Sequence, residues 1–187
     1  MKNKIISLVL KISFFSLFSL YSHSSEQNWK PALEGNKIIL IRHSLAPGGG
    51  DPEGFKINDC NTQRNLNLIG INQSKIIGEL FKKNKVQIDQ VLSSQWCRCK
   101  DTAKYAFGDY KEFKALNSTF QSPYNKNESS QIKELFRFVK KWNGNGKNLI
   151  LVTHYSIITA VTNAVPSSGE IVITDKNFNV FETISTN

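Results

Sequence analysis

Lys37-Ile38-Ile39-Leu40-Ile41-Arg42-His43 is the stretch on which the fold turns. A short, unbroken apolar run rich in β-branched residues suits a strand buried on both faces, as in a parallel sheet. The run stops abruptly at Arg42-His43, so a guanidinium and an imidazole sit at its C-terminal end. Asn148-Leu149-Ile150-Leu151-Val152 repeats the pattern and stops at Thr153-His154. Ile88 to Leu92 is a third run, ending in Ser93-Ser94 ahead of Arg98.

Between these runs the apolar spacing changes to that of helices. Asn67 is placed to cap a helix through about Lys83, with Leu68, Ile71, Ile76, Ile77, Leu80 and Phe81 on its apolar side. Ser93 or Ser94 can cap a second helix running to about Ala106. Phe113–Leu116 reads as a short strand. Glu128–Trp142 is amphipathic through Ile132, Leu135, Phe136 and Val139, and Asn143-Gly144-Asn145-Gly146 ends it. Tyr155–Asn163 reads as a helix. Glu170–Thr174 and Asn179–Ile184 read as strands joined by a turn at Asp175-Lys176-Asn177.

Strands that alternate with helices predict an α/β three-layer sandwich, with a mostly parallel central sheet and helices on both faces. Ligands of such sheets bind in the crevice beyond the C-terminal strand ends. Arg42-His43, Ser93-Ser94 with Arg98, and Thr153-His154 all fall there. Ser44 to about Arg64 is a long Gly/Pro-rich loop, of the kind that is functional within a compact domain. Its Gly48-Gly49-Gly50 run lacks the Lys-Ser/Thr of a P-loop and reads as a flap.

The 187 residues fit one domain, and 40% hydrophobic with 21% charged residues argues against disorder. Residues 1–24 read as a signal peptide, with basic Lys2 and Lys4, an apolar run from Ile12 to Leu20, and small Ser22 and Ser24. The expected location is periplasmic or secreted. The alternative is an anchor formed by an uncleaved N-terminal segment. After cleavage no stable membrane insertion is expected. Residues 25–36 read as a polar linker and 37–187 as the domain.

The formal charge of +9 falls to +6 once Lys2, Lys4 and Lys11 leave (9 − 3). That favours anionic partners. No basic stripe is interleaved with aromatics, so nucleic acid is not expected. Lys82, Lys83, Lys85, Lys140 and Lys141 cluster at helix C-termini, where the macrodipole accounts for them. Three cysteines permit one internal pair, Cys60 with Cys97 or Cys99, or three free thiols. No zinc-ligand spacing is present.

Phosphoryl transfer needs positioned positive charge and an in-line nucleophile. Arginines clamp phosphate oxygens, and a neutral imidazole is an available nucleophile near neutral pH. Arg42, His43, Arg98 and His154 are such a set. Ile39-Leu40-Ile41-Arg42-His43-Ser44 resembles the strand-plus-RHG signature of the histidine phosphatase (phosphoglycerate-mutase-like) superfamily. Asn65–Gln73 is similar to that family's L-T-x-x-G-x-x-Q helix start, and Ser93–Ala103 to its S-S-x-x-x-R-x-x-x-T-A segment. Leu151-Val152-Thr153-His154 resembles the strand carrying its second histidine. The resemblance spans nearly all of the chain from Lys37 onward.

The resemblance implies a phosphoglycerate-mutase-like fold, no metal or cofactor, and a small anionic phosphorylated substrate. It also implies a phospho-His43 intermediate, phosphate held by Arg42 and Arg98, and His154 completing the pocket. Arg64, Ser44 and Tyr155 are further candidates for substrate contact. Two departures stand out. Ser44 replaces the glycine of RHG. The stretch Ala115–Phe120, where family members carry the proton-donating carboxylate, has none. Asp51, Asp59 and Glu170 are the substitutes the chain offers. A good leaving group would need no acid, and a phosphate-binding module without turnover is the competing expectation.

Overall fold

The computed structural model describes residues 28–186. The expected signal segment, 1–24, lies outside the described residues.

The sheet has six strands in the order β3-β2-β4-β1-β5-β6. They are β1 (Ile38–Arg42), β2 (Ile88–Ser93), β3 (Lys111–Glu112), β4 (Asn148–Thr153), β5 (Ile171–Thr174) and β6 (Val180–Ile184). β1 and β2 both run parallel to β4, and β3 is parallel to β2. β5 and β6 form an antiparallel extension on the other side of β1. The helices are α1 (described over residues 28–34), α2 (Leu68–Lys83), α3 (Cys97–Phe107), α4 (Glu128–Lys141) and α5 (Tyr155–Thr162).

Alternation along the central strands divides the core. Ile39, Ile41, Ile150 and Val152 face one layer with Ile77, Phe81 and Ala103 of α2 and α3. Ile38, Leu40, Leu149 and Leu151 face the other with Leu135, Val139 and Ile157 of α4 and α5. Each fully buried Ile or Leu contributes roughly 1.5–3 kcal/mol, so β1 and β4 alone anchor both layers.

Several expectations need correction. The stretch read as linker is helical over 28–34, and it buries Trp29 against Phe81, ring centroids 5.1 Å apart. Phe113–Leu116 is not a strand. Lys111–Glu112 forms the short edge strand, and Lys114–Leu116 turns as a 3₁₀ helix that buries Ala115 and Leu116. Leu68 and Ile76 are exposed on α2, whose inner face is Gly70, Gln73, Ser74, Ile77 and Phe81. α3 starts at Cys97 with no side-chain cap; the Ser94 hydroxyl instead accepts from the Trp96 N–H ahead of the helix, at 3.3 Å.

The small and polar residues on α2 have a positional reason. A Cβ on Gly70 would collide with the Leu45 carbonyl oxygen, so only glycine lets the helix approach the chain leaving β1. Gln73 Oε1 then accepts from the Leu45 N–H at 3.0 Å, while its Nε2 donates to the Ser168 carbonyl. One buried amide thus fixes both segments flanking the C-terminal end of β1. Asn67 caps α2 as expected, accepting from the Gly70 N–H at 2.8 Å.

Candidate active site

β1 and β4 pair in parallel with Arg42 opposite Thr153, and the His43 N–H donates to the Thr153 carbonyl at 2.9 Å. One step past that register, His43 and His154 leave the sheet side by side, their ring centroids 5.4 Å apart. Arg98 joins them from the first turn of α3. Thr102 secures that junction: its Oγ1 donates to the Arg98 carbonyl at 2.7 Å and accepts from the Ser44 N–H at 3.0 Å. Arg42, His43, Arg98 and His154 all line one cavity of about 130 Å³, together with Arg64 and Tyr155.

His43 is buried, and its Nδ1 lies 2.8 Å from the Ser44 carbonyl oxygen. A carbonyl can only accept, so Nδ1 carries the proton and Nε2 is left with its lone pair. Burial, followed by the charges of Arg98, Arg64 and Arg42, pushes the His43 pKa well below 6.5, while the Ser44 bond opposes this. The ring is therefore neutral at physiological pH, the form a nucleophile needs.

His154 is set by a relay. Asn117 Oδ1 accepts from the Gln95 N–H at 2.9 Å, which identifies it as oxygen, and also from the Ser94 hydroxyl at 3.2 Å. Ser94 Oγ is then free to accept from His154 Nε2–H at 2.9 Å. Burial, the Arg98 charge and the neighbouring His43 lower its pKa too. Cys99 Sγ also approaches His154 Nε2, at 3.4 Å, but burial raises that thiol to about 12 despite the Arg98 charge. It is a protonated thiol and no competing nucleophile.

Three guanidinium groups face the cavity. Arg42 donates from Nη1 to the Pro166 carbonyl at 2.8 Å and stacks over the Tyr155 ring, 5.8 Å to the centroid. Arg64 donates to the carbonyls of Gly50 and Ala46 in the flap. The Nε atoms of Arg42 and Arg98 are both buried and without a hydrogen-bond partner. Each such group costs about 1–3 kcal/mol. Both residues line the cavity.

The three carboxylates the sequence offers as acids sit in distinct surroundings. Asp51 lines the cavity but forks onto Arg98 at 2.7 and 3.1 Å. Burial raises its pKa, yet the Arg98 hydrogen bonds and charge, with donation from Trp96 and Arg64, outweigh that and hold it below 3.8. Asp59 does not line the cavity; it caps the 3₁₀ helix Cys60–Thr62, accepting from the Asn61 N–H. Glu170 also lies outside the lining and accepts from the Ser167 N–H. Among the described residues Asp51 is the only carboxylate lining the cavity.

Ser44 is not a cavity residue either. It is fully buried, and its hydroxyl accepts from Ser74 Oγ at 2.8 Å on the α2 side. The side chain where the RHG pattern has glycine is thus housed in a polar seam away from the site. Of the two disulfides left open, Cys60–Cys97 is formed and Cys99 is free and buried. The bond ties the flap to the residue before Arg98.

The lining residues Ser118, Phe120 and Gln121 fall in residues 117–127, which the sequence marks as a pocket wall without singling out side chains; the polar relay of Asn117 and Gln95 escapes it. They come from the irregular stretch after the 3₁₀ turn, which has no periodicity to betray its inward side.

No family model matches the sequence, and no curated protein matches it. Solved structures do match. The protein histidine phosphatase SixA, complexed with tungstate, aligns at TM-score 0.56 and 15% identity, over 80% of this chain and 97% of its own. The chain has the phosphoglycerate-mutase-like fold. A phosphoglycerate mutase from Thermus thermophilus aligns at TM-score 0.53 and 16% identity, covering 80% of this chain and 98% of that one. The Rv3214 protein of Mycobacterium tuberculosis aligns at TM-score 0.56 and 14% identity, covering 80% and 96%. Within this fold the cavity lies in the crevice beyond the parallel strand ends, where α/β ligands bind.

Proposed function

We propose that the chain is a phosphatase of the histidine phosphatase kind, hydrolysing a phosphomonoester or phosphoramidate through a phospho-His43 intermediate. The observation that carries the reading is a neutral, oriented imidazole in a cavity lined by Arg42, Arg64 and Arg98. The His43 Nε2 lone pair attacks phosphorus, and the bond to the leaving group breaks with its electron pair. The Ser44 carbonyl holds the Nδ1 proton and stabilises the phosphoimidazole. Water then attacks the phosphorus, the P–N bond breaks, and inorganic phosphate leaves with Nε2 restored. Arg42 and Arg98 neutralise the equatorial oxygens, and His154 closes the site.

The charge comes from guanidinium groups, so no metal or cofactor is required in this scheme. The ionised, Arg-bound Asp51 supplies no proton. Leaving groups that depart without one, such as aryl oxides or imidazole, are the preferred substrates. The neighbours' fold supports the phosphatase reading, and the tungstate held by SixA is a tetrahedral oxyanion.

We also propose that the enzyme works outside the cytoplasm, in the periplasm or secreted. Supporting this are the signal-like residues 1–24 and the Cys60–Cys97 disulfide, a bond that persists in oxidising compartments.

The test is turnover of a small aryl phosphate. His43→Ala should reduce it to background, and a chelator should leave the wild-type rate unchanged. Activity surviving in His43→Ala rejects the reading. The lack of a free acid favours one competitor, a phosphate-binding module without turnover. That competitor predicts phosphate binding with no acid-labile phosphohistidine on His43.

A further inference from the structure

We infer that Asp51 is a positioning residue: from the flap, its carboxylate grips the two terminal nitrogens of Arg98, fixes the guanidinium plane at the cavity wall, and leaves the Nε–H and one Nη2–H of Arg98 for the oxyanion. The inference rests on the phosphate site proposed above but not on its turnover.

A carboxylate offers about four acceptor positions. In Asp51 all are filled from the cavity walls. Oδ1 accepts from Arg98 Nη1 at 2.7 Å and from the Arg64 N–H at 3.1 Å. Oδ2 accepts from Arg98 Nη2 at 3.1 Å and from Trp96 Nε1 at 2.9 Å. Saturated in this way, the group has nothing left for a ligand or for proton transfer. Its side chain is only 2% exposed, so water does not compete for these bonds.

The effect falls on Arg98. Nη1 spends both its hydrogens, on Asp51 and on the Arg64 carbonyl at 3.2 Å, and Nη2 spends one of its two on Asp51. Nε alone is buried without a partner. A bidentate fork fixes the plane of a guanidinium as well as its position. The two N–H groups left over, one on Nε and one on Nη2, are therefore held in one orientation before any ligand arrives, which is how preorganised sites avoid ordering costs on binding.

The flap is built to hold that carboxylate still. The Asp51 N–H donates to Oε1 of Gln121, another residue lining the cavity, at 2.8 Å. Gly50 has φ +73°, and a Cβ there would meet the same Gln121 Oε1 at 2.8 Å. Arg64 Nε donates to the Gly50 carbonyl at 2.7 Å. The Gly48-Gly49-Gly50 run thus serves to turn Asp51 inward.

Binding of inorganic phosphate to the purified protein, followed by calorimetry, tests this. Asp51→Asn keeps the size but breaks the charged fork, and it should weaken phosphate at least about tenfold. Unchanged or tighter phosphate binding in a folded Asp51→Asn protein overturns the inference; a merely repulsive carboxylate would give the tighter result. The second readout needs no variant. The Arg98 Nε–H resonance of the wild-type protein should be a single sharp signal without phosphate and should move on saturation. A signal averaged with other arginines, or unmoved by saturating phosphate, also overturns it. Turnover surviving in His43→Ala would sink the phosphatase reading and leave these binding results standing.

Discussion

The parallel centre of the sheet and the flap from Ser44 to Arg64 both supply cavity residues, and they hold them by opposite means. β1 and β4 deliver Arg42, His43 and His154 through backbone register, with both faces of the strands sealed by aliphatic side chains. The flap delivers Asp51 and Arg64 with almost no regular structure. It relies on side-chain hydrogen bonds to Gln121, Trp96 and Arg98, and on the Cys60–Cys97 disulfide. A register is cooperative and hard to perturb locally. A set of individual bonds can be removed one at a time. Losses in the first region should therefore act on the reaction itself or on the whole fold, and losses in the second on binding.

The sharpest way to break this contrast is Arg42→Ala. On the proposed phosphatase mechanism, removing this guanidinium should cost about 10²–10³-fold in kcat, seen in steady-state turnover of an aryl phosphate. A change confined to KM would move Arg42 into the binding class. Next comes Cys60→Ser, which releases the flap. It should lower unfolding free energy by roughly 2–4 kcal/mol in a denaturant titration and raise KM more than it lowers kcat. An equal loss in kcat would mean that the flap, too, acts in the chemical step.

The two imidazoles predict an acid limit. Their folded pKa values lie well below 6.5, where the unfolded chain titrates. Below that pH the unfolded state binds protons that the native state refuses, so stability rises with pH through the window and falls on acidification. The loss should reach about 1 kcal/mol per histidine one pH unit below 6.5, measured as the melting temperature between pH 7.5 and 5.5. A flat profile would contradict the buried, neutral rings.

Gly70→Ala should destabilise by about 1–3 kcal/mol through overpacking on the Leu45 carbonyl, the reverse of the usual gain from glycine to alanine in a helix. Thermal unfolding decides the sign. The smallest effect belongs to the rim. Phe120 is 56% exposed and meets Tyr155 with ring centroids 6.0 Å apart, so Phe120→Ala should raise KM for an aryl phosphate only a few-fold. No change in KM would place the leaving group away from this wall.

Much of the frame was legible in the chain. Five consecutive positions from Ile38 to Arg42 form β1 within one residue of the expected run, because a stretch apolar on both faces has few other stable uses. The positions of His43 and His154 at matching strand ends follow from the same two runs. The failures occurred where periodicity carried no information. Phe113–Leu116 looked like a strand, but the edge of the sheet needed only Lys111–Glu112, and the next residues were better used to bury Ala115 and Leu116. Leu68 and Ile76 fit a helical stripe, yet the face that α2 packs is defined by Gly70 and Gln73. Trp29 fell in a stretch too polar and short to reveal a helix that docks on Phe81. Asp51, Asp59 and Glu170 were indistinguishable as carboxylates. Their partners separated them: Arg98, the Asn61 N–H and the Ser167 N–H.

By itself the sequence determined an α/β chain whose buried strands end in arginine and histidine, since hydrophobic pattern and chain order are local properties. Tertiary structure alone decided which cysteine pairs with Cys60, where the Ser44 hydroxyl goes, and that Asp51 is bound to Arg98 rather than free to donate a proton. The reason is physical. Those outcomes depend on angstrom-scale distances between segments far apart in the chain, and a charge or a thiol takes its character from whatever the fold sets beside it.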